Sequence, residues 1–289
     1  MKLTSAIDLY LEALEARRAP RNTRKAYRLD LAAFERCFPE LELADATASL
    51  LRSYLGEGDW APATRSRRRA SLASFFRWLT RNDLTESNPM DKVDTVVVPE
   101  TLPRPAEPTA VEAILGRIPP RATRDRALFT LVYETGVRIA EALGLYCHDL
   151  DLVRDNEKIR VLGKGNRERT VLLAAAPRAV RLLRRHLKLQ ESEEGAVFRG
   201  DPRRGGSSLP MDYTTARRSW NLYCQEAGHQ ITLHQLRHTR ATELVRGGVP
   251  LGTIRKVLGH RNIQSTLIYA DVDDETVKRD LLEYRRRQR

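Results

Sequence analysis

The chain predicts a mainly α-helical fold with one small β-sheet, divided into two domains. Three observations predict it. Apolar residues recur at helical spacing along most of the 289 residues, strict alternation occurs around the turn Gly163-Lys164-Gly165-Asn166, and prolines gather midway at 89, 99, 103, 105 and 108. A chain of this length exceeds the usual single domain, and either half can bury a core without covalent staples. The expected boundaries are a helical domain over 1–94, a proline-rich connector over 95–108 and a second domain over 109–289.

In the first domain, TSAIDLYLEALEARR sets Ile7, Leu11 and Leu14 on one helical face, with Thr4 or Ser5 placed to cap it. NTRKAYRLDLAAFERCF repeats the pattern until Pro39 stops it, and a shorter helix is expected from Asp45 to Leu55, ending near Gly56 and Gly58. The fourth helix, PATRSRRRASLASFFRWLTRN, carries Leu72, Phe75, Phe76 and Leu79 as its inner stripe and Arg65, Arg67, Arg68 and Arg69 in its opening turns. Such a run is ordinarily a solvated face. In a basic chain, just before an aromatic stripe, it is equally a candidate for contact with the DNA backbone. From Asn88 to Pro108 the prolines deny helix around Val96, Val97 and Val98, so an extended connector is expected.

The second domain resumes with helices near 109–117 and 121–135 and breaks at Gly136 before VRIAEALGL. In KIRVLGKGNRERTVLL, Ile159, Val161, Val171 and Leu173 alternate about the glycine turn, which reads as a β-hairpin. Helices follow at 177–191 and about 212–227, and the remainder is helical with punctuation at Gly247-Gly248 and Gly259.

Fifty Lys+Arg against 38 Asp+Glu give a net charge of +12. That excess predicts a polyanionic partner, because phosphate neutralisation dominates nucleic-acid affinity. A basic protein with no nucleic-acid role is the rival reading. The excess is uneven: 17 basic against 15 acidic residues in 1–105, net +2, leave 33 against 23 in 106–289, net +10. Cys37, Cys147 and Cys224 are odd in number and lack zinc spacing, so reduced thiols are expected. Neither a signal peptide nor the roughly 18 uninterrupted apolar residues of a membrane span is found. A soluble cytoplasmic protein with no membrane association is expected.

Six residues make a coherent phosphate-transfer set: Arg138, Lys164, His234, Arg237, His260 and Tyr269. His234 and Arg237, three apart at a helix start, share one face, whereas the adjacent His238 is expected to point elsewhere as a structural histidine. Glu141 lies one turn after Arg138 and can orient it, or one of the histidines, through a charge-assisted bond; an ordinary helix carboxylate is the alternative. Two guanidinium forks suit a phosphodiester whose non-bridging oxygens gain charge in the transition state. Lys164, at a hairpin tip, is placed to give a proton to a departing oxygen, unless it is a solvated turn lysine. Tyr269 follows His260 by nine residues, and a phenol is a nucleophile once nearby positive charge lowers its pKa from about 10.

As a set these motifs resemble those of the tyrosine recombinase (phage integrase) family, most closely its Xer-like and transposon resolvase-like members. The strings are ETGVRIAEALGL around Arg138, VLGKGNRERTVLL around Lys164, LHQLRHTRAT around His234 and Arg237, and VLGHRNIQSTLIYADV around His260 and Tyr269. The resemblance covers essentially the whole chain. It implies a four-helix, SAM-like core-binding domain followed by a mixed α/β catalytic domain. It also implies that Tyr269 attacks a DNA phosphate to give a 3′-phosphotyrosyl link, with Arg138 and Arg237 holding the phosphate and His260 assisting. His234 would take the proton of the tyrosine and Lys164 would protonate the leaving 5′ oxygen. Neither metal nor other cofactor is implied, since the bond energy stays in the link. The implied partners are double-stranded DNA and either a homotetramer on it or a heterotetramer with a related recombinase, in the cytoplasm at the nucleoid. The segment TVKRDLLEYRRR would dock on a neighbouring subunit. After Tyr269 this chain has Ala-Asp where Xer-like members often have Thr-His.

Two other readings use parts of the same evidence in the residues. A helix-turn-helix regulator explains LRHTRATELVRGGVPLGTIRKVLGHRN and the charge but leaves Arg138, Lys164 and Tyr269 idle. A type IB topoisomerase uses the same chemistry without strand exchange.

Overall fold

A computed structural model of the chain describes residues 1–99, 104–163, 167–190, 194–200 and 209–259, with Leu267, Lys278, Arg285 and Arg286 beyond them. The chain divides into two units, Met1–Thr101 and Leu102–Arg289. Among the described residues both are built chiefly of helices.

The first unit holds helices α1 (Leu3–Ala16), α2 (Arg21–Cys37), α3 (Ala48–Glu57) and α4 (Pro62–Arg81). Their inner stripes meet in one core in which Leu14, Leu31, Phe34, Leu51, Phe75, Phe76 and Leu79 are fully buried. Full burial of such a side chain stabilises by about 1.5–3 kcal/mol, so the inner stripes of all four helices contribute to this core. Tyr10 fits the same core by donating its hydroxyl to Ser74 Oγ at 2.7 Å.

Three expectations are corrected here. Neither Thr4 nor Ser5 caps α1: the helix starts earlier, after Lys2, because the Leu3 N–H bonds to Leu41 O and its side chain is drawn into the core. The helix expected from Asp45 is a 3-10 turn over Leu43–Asp45 followed by α3, whose cap is the Thr47 side chain accepting from the Leu50 N–H. The connector does not begin at Asn88. Pro89–Lys92 form a 3-10 turn, and Met90 and Val93 belong to the core.

The second unit is organised around α6 (Thr123–Thr135), whose residues Ala127 to Val132 are all buried. Helices α5 (Pro108–Arg117), α8 (Pro177–Leu189), α9 (Tyr213–Glu226) and α10 (Leu233–Arg246) pack on it or on one another. Trp220 of α9 is fully buried against Phe129, ring centroids 5.0 Å apart, and its indole N–H donates to Ile231 O at 2.6 Å. The short α7 (Ile139–Leu143) leads to a three-stranded antiparallel sheet in the order β1 (Leu150–Asp151), β2 (Lys158–Gly163), β3 (Arg167–Leu172). Ile159 lies opposite Val171 and Val161 opposite Arg169, so the expected alternation buries Ile159, Val161 and Val171. Helix α11 (Leu251–Leu258) closes on α10 through Ala241, Ile254 and Leu258.

Candidate active site

Gly136 ends α6 in the left-handed conformation, φ 67°, which glycine adopts without the usual steric cost. A Cβ at this position would stand 2.6 Å from Leu258 Cδ2, so the end of α11 sits directly on this turn. Two residues on, Arg138 is the N-cap of α7 and Glu141 its third residue. Glu141 Oε2 accepts from the Arg138 N–H at 2.9 Å and Oε1 accepts from Arg138 Nη1 at 2.8 Å. The carboxylate is buried, whereas 43% of the Arg138 side chain faces solvent. Glu141 is thus buried and bonded to Arg138 rather than a surface residue.

Arg237, in the first turns of α10, is turned inward and only 3% exposed. Its Nη1 donates to Gly136 O at 2.6 Å and its Nη2 to Leu258 O at 2.8 Å. One guanidinium therefore joins α10 to the segments that precede Arg138 and His260 in the chain. Bonds from a charged donor are worth about 1.5–3 kcal/mol each, which makes this the principal fastening of the site.

His234 lies one turn before Arg237, as expected. His238 does not point elsewhere: four residues after His234, it shares that helix face, and the two rings meet edge to face with centroids 4.4 Å apart. Burial lowers the His234 pKa below its ordinary value, and the charges of Arg237 and Arg138 lower it further. Burial, His234 and Arg237 push His238 down to about 4. Both imidazoles are accordingly neutral near pH 7, the form able to accept a proton.

A further residue, Arg169, joins this cluster without having been expected from the sequence. It occupies β3 on the face that carries Val171, and its Nη2 donates to Glu141 Oε2 at 3.0 Å and to Leu258 O at 3.2 Å. Burial lowers its pKa from the ordinary value, with Glu141 opposing that shift and Arg138 adding to it. The signal was available. If Val171 and Leu173 point inward, a two-residue period sends Arg169 the same way, and an inward charge needs a partner.

The structure thus brings together Arg138, Glu141, His234 and Arg237. Lys164, His260 and Tyr269 lie outside the described residues, as does most of the C-terminal segment expected to dock on a neighbour. Their flanks are described. Gly163 ends β2, where a Cβ would stand 3.7 Å from Glu141 Oε1, and Gly259 ends α11 in the left-handed conformation, φ 66°. Among the described residues no group of three His, Cys, Asp or Glu side chains is placed to hold a metal ion.

In the first unit, each of the four candidate arginines has an intramolecular partner. Arg65 donates to Gly58 O, Arg67 pairs with Asp30, and Arg68 donates to the Tyr54 hydroxyl while lying 3.9 Å over the Trp60 ring. Arg69 donates to Val93 O and Asp94 O, both at 2.7 Å.

The family model described as "Phage integrase family" matches residues 107–276, and that described as "Phage integrase, N-terminal SAM-like domain" matches residues 7–83. Tyrosine recombinase XerC of Myxococcus xanthus is 34% identical over 273 residues, covering 89% of each chain. Tyrosine recombinase XerD of Lacticaseibacillus casei is 33% identical over 223 residues, covering 74% of each. Among solved structures, XerH site-specific recombinase bound to a palindromic difH substrate has a TM-score of 0.71 at 21% identity, over 92% of this chain and 81% of that one. A lambda integrase tetramer bound to a Holliday junction has a TM-score of 0.72 at 19% identity, over 93% and 77%. At those identities the two structures show likeness of fold.

A helical, SAM-like first unit followed by a guanidinium-lined site on a mixed α/β unit is the organisation of a DNA strand-transfer enzyme, and the chain belongs to the phage integrase family. Within that family it is a tyrosine recombinase.

Proposed function

We propose that this tyrosine recombinase cuts and rejoins double-stranded DNA at specific sites with Tyr269 as its nucleophile. The Tyr269 oxygen attacks the phosphorus and the phenolic proton passes to His234. The bond to the 5′ oxygen breaks, and that oxygen takes a proton from Lys164. The product is a 3′-phosphotyrosyl link and a free 5′ hydroxyl. A 5′ hydroxyl of another duplex then attacks the link, returning the phenol and joining the strands. Arg138 and Arg237, with His260, stabilise the charge that grows on the non-bridging oxygens, which accelerates the step rather than only tightening binding.

One observation carries this reading above all. Arg237 bonds to Gly136 O and Leu258 O, so a single side chain fastens the helix bearing His234 to the residues that lead to Arg138 and toward His260 in the chain. Two features support the assigned roles. The depressed pKa of His234 suits a proton acceptor, and the solvent-facing part of Arg138 suits a phosphate ligand.

The enzyme acts on DNA as a tetramer, either of this chain alone or with a related recombinase. The XerC and XerD relatives and the lambda integrase tetramer on a Holliday junction support that assembly. Arg65, Arg67, Arg68 and Arg69 contribute backbone contacts. Among the described residues no helix is long and apolar enough to cross a membrane, in keeping with work on DNA in the cytoplasm.

The test is a nicked duplex carrying the enzyme's site, from which the cleaved fragment diffuses away. A covalent protein–DNA species that survives denaturing electrophoresis should form in EDTA and without ATP. Tyr269→Phe should abolish it while DNA binding persists. An adduct from Tyr269→Phe would overturn the nucleophile assignment.

A further inference from the structure

We infer that Arg169 is a positioning residue for strand cleavage, acting by neutralising Glu141 and tying the β2–β3 hairpin to α7 and α11. The inference rests on the site assignment proposed above and adds to it a side chain outside the six.

The guanidinium of Arg169 faces protein oxygens and is largely buried. Arg169 Nε and Nη1 are buried and have no hydrogen-bond partner among the described residues, and Nη2 is committed to Glu141 Oε2 and Leu258 O. What Arg169 does, it does through those two oxygens.

Glu141 is the more important of them. Its carboxylate accepts from the Arg138 N–H, from Arg138 Nη1 and from Arg169 Nη2. Without Arg169, a buried carboxylate would be left with Arg138 as its only cationic partner among the described residues. It would then draw Arg138 more strongly and oppose the negative charge that cleavage builds on phosphate. With Arg169 present, the carboxylate is shared, and Arg138 is aimed without being fully claimed. Both bonds come from the one nitrogen Nη2, so a lysine that reached this point could supply the charge, though from a shorter and more flexible side chain.

The second oxygen sets position. Arg169 sits on β3, five residues after Lys164, while Leu258 precedes His260 by two residues. The link Arg169–Leu258 O therefore fixes the root of the strand that returns from Lys164 against the helix that leads to His260. Gly259 is part of the same fit: a Cβ there would collide with the Arg169 guanidinium.

The experiment measures single-turnover cleavage of the nicked duplex by the full chain, with DNA binding by fluorescence anisotropy and folding by thermal melting. Arg169→Met should slow cleavage by about 10- to 100-fold, the usual effect of removing a group that orients a reacting one, while the dissociation constant changes by less than about threefold. Arg169→Lys should recover part of the loss. The decisive comparison is Arg169→Met with Glu141→Gln, which should cleave about tenfold faster than Arg169→Met alone, since removing the orphaned charge relieves the defect. A purely structural role gives no such rescue. If Arg169→Met does not fold, the double variant decides alone: folded and cleaving within about tenfold of Glu141→Gln supports the inference, and unfolded or inactive protein overturns it. A cleavage rate for Arg169→Met within about threefold of the parent, or a double variant no faster than Arg169→Met, also overturns it. Arg138→Ala separates the two claims. Cleavage by Arg138→Ala at the parent rate means that the site assignment has failed. Loss of cleavage in Arg138→Ala alongside an unaffected Arg169→Met means that this inference alone has.

Discussion

Arg237 and Arg169 donate to the same atom, the carbonyl oxygen of Leu258, at 2.8 and 3.2 Å. Two like charges on one acceptor are tolerable at this place. Leu258 is the last residue of α11, where helix carbonyls lack intrahelical donors and the helix dipole concentrates negative charge. The pair caps the helix and sets the point from which the chain continues toward His260.

Arg237 should therefore matter to folding as well as to chemistry. Arg237→Ala removes two charged hydrogen bonds and leaves the Gly136 and Leu258 carbonyls without them, a loss of about 2–4 kcal/mol. Its melting temperature should fall by several degrees, and cleavage should fall by about 100- to 1,000-fold. Arg237→Lys should retain little activity, because an ammonium cannot span both carbonyls. Parent-like melting in Arg237→Ala would show that these bonds do not fasten the site.

Two glycines of α11 and its cap should respond oppositely to alanine. Gly259 has φ 66° and its Cβ position collides with Arg169, so Gly259→Ala should cost about 2 kcal/mol or more and slow cleavage through Arg169. Gly252 lies within α11 with no atom within 4 Å of its Cβ position, so Gly252→Ala should be neutral or stabilising by up to about 1 kcal/mol. Thermal melting of the two variants checks both signs.

Acid should weaken the fold through the paired histidines. Both have native pKa values below the ordinary 6.5, His238 down to about 4. As pH falls below 6.5 the unfolded chain binds protons before the folded one, so this contribution to stability is complete above 6.5 and is lost toward about pH 4. Melting temperature should decline across that window, and His238→Gln should flatten the decline. An identical slope in the variant would remove His238 from the account.

The arginines of α4 can be sorted by salt. A residue that contacts DNA phosphate lowers the salt dependence of binding by about one unit of log–log slope when replaced. Arg67, whose side chain is 45% exposed beside Asp30, should do so on replacement by alanine. Arg68 lies over Trp60 and bonds to Tyr54, so Arg68→Ala should lower the melting temperature. An unchanged slope with Arg67→Ala, measured at several salt concentrations, would count against the α4 contacts.

Periodicity made the helices legible because burial itself is periodic. Leu72, Phe75, Phe76 and Leu79, read as one stripe, are all at most 1% exposed, and the alternation of Ile159, Val161 and Val171 gave the hairpin its face. What the sequence could not display were bonds to distant backbone. Leu3 begins α1 because of Leu41, and Arg69 holds Val93 and Asp94. Neither relation leaves a local pattern. Arg138, Glu141, His234 and Arg237 stand out in the sequence through their chemistry, and the structure brings them near one another. Arg169 was overlooked because arginine is ordinarily a surface residue, although its place in the strand alternation pointed inward. His238 follows His234 by four residues and so shares its face, a relation that its adjacency to Arg237 in the sequence hides.

Arg138 and Arg169 share one carboxylate, that of Glu141, and Arg169 and Arg237 share one carbonyl, that of Leu258. Their mutual repulsion is therefore met during folding, by a carbonyl and a carboxylate already in place, rather than at the moment a duplex docks. The remaining surplus of positive charge makes this cluster a standing lure for any polyanion, heparin and polyphosphate included. Discrimination among sequences must accordingly come from other surfaces of the enzyme.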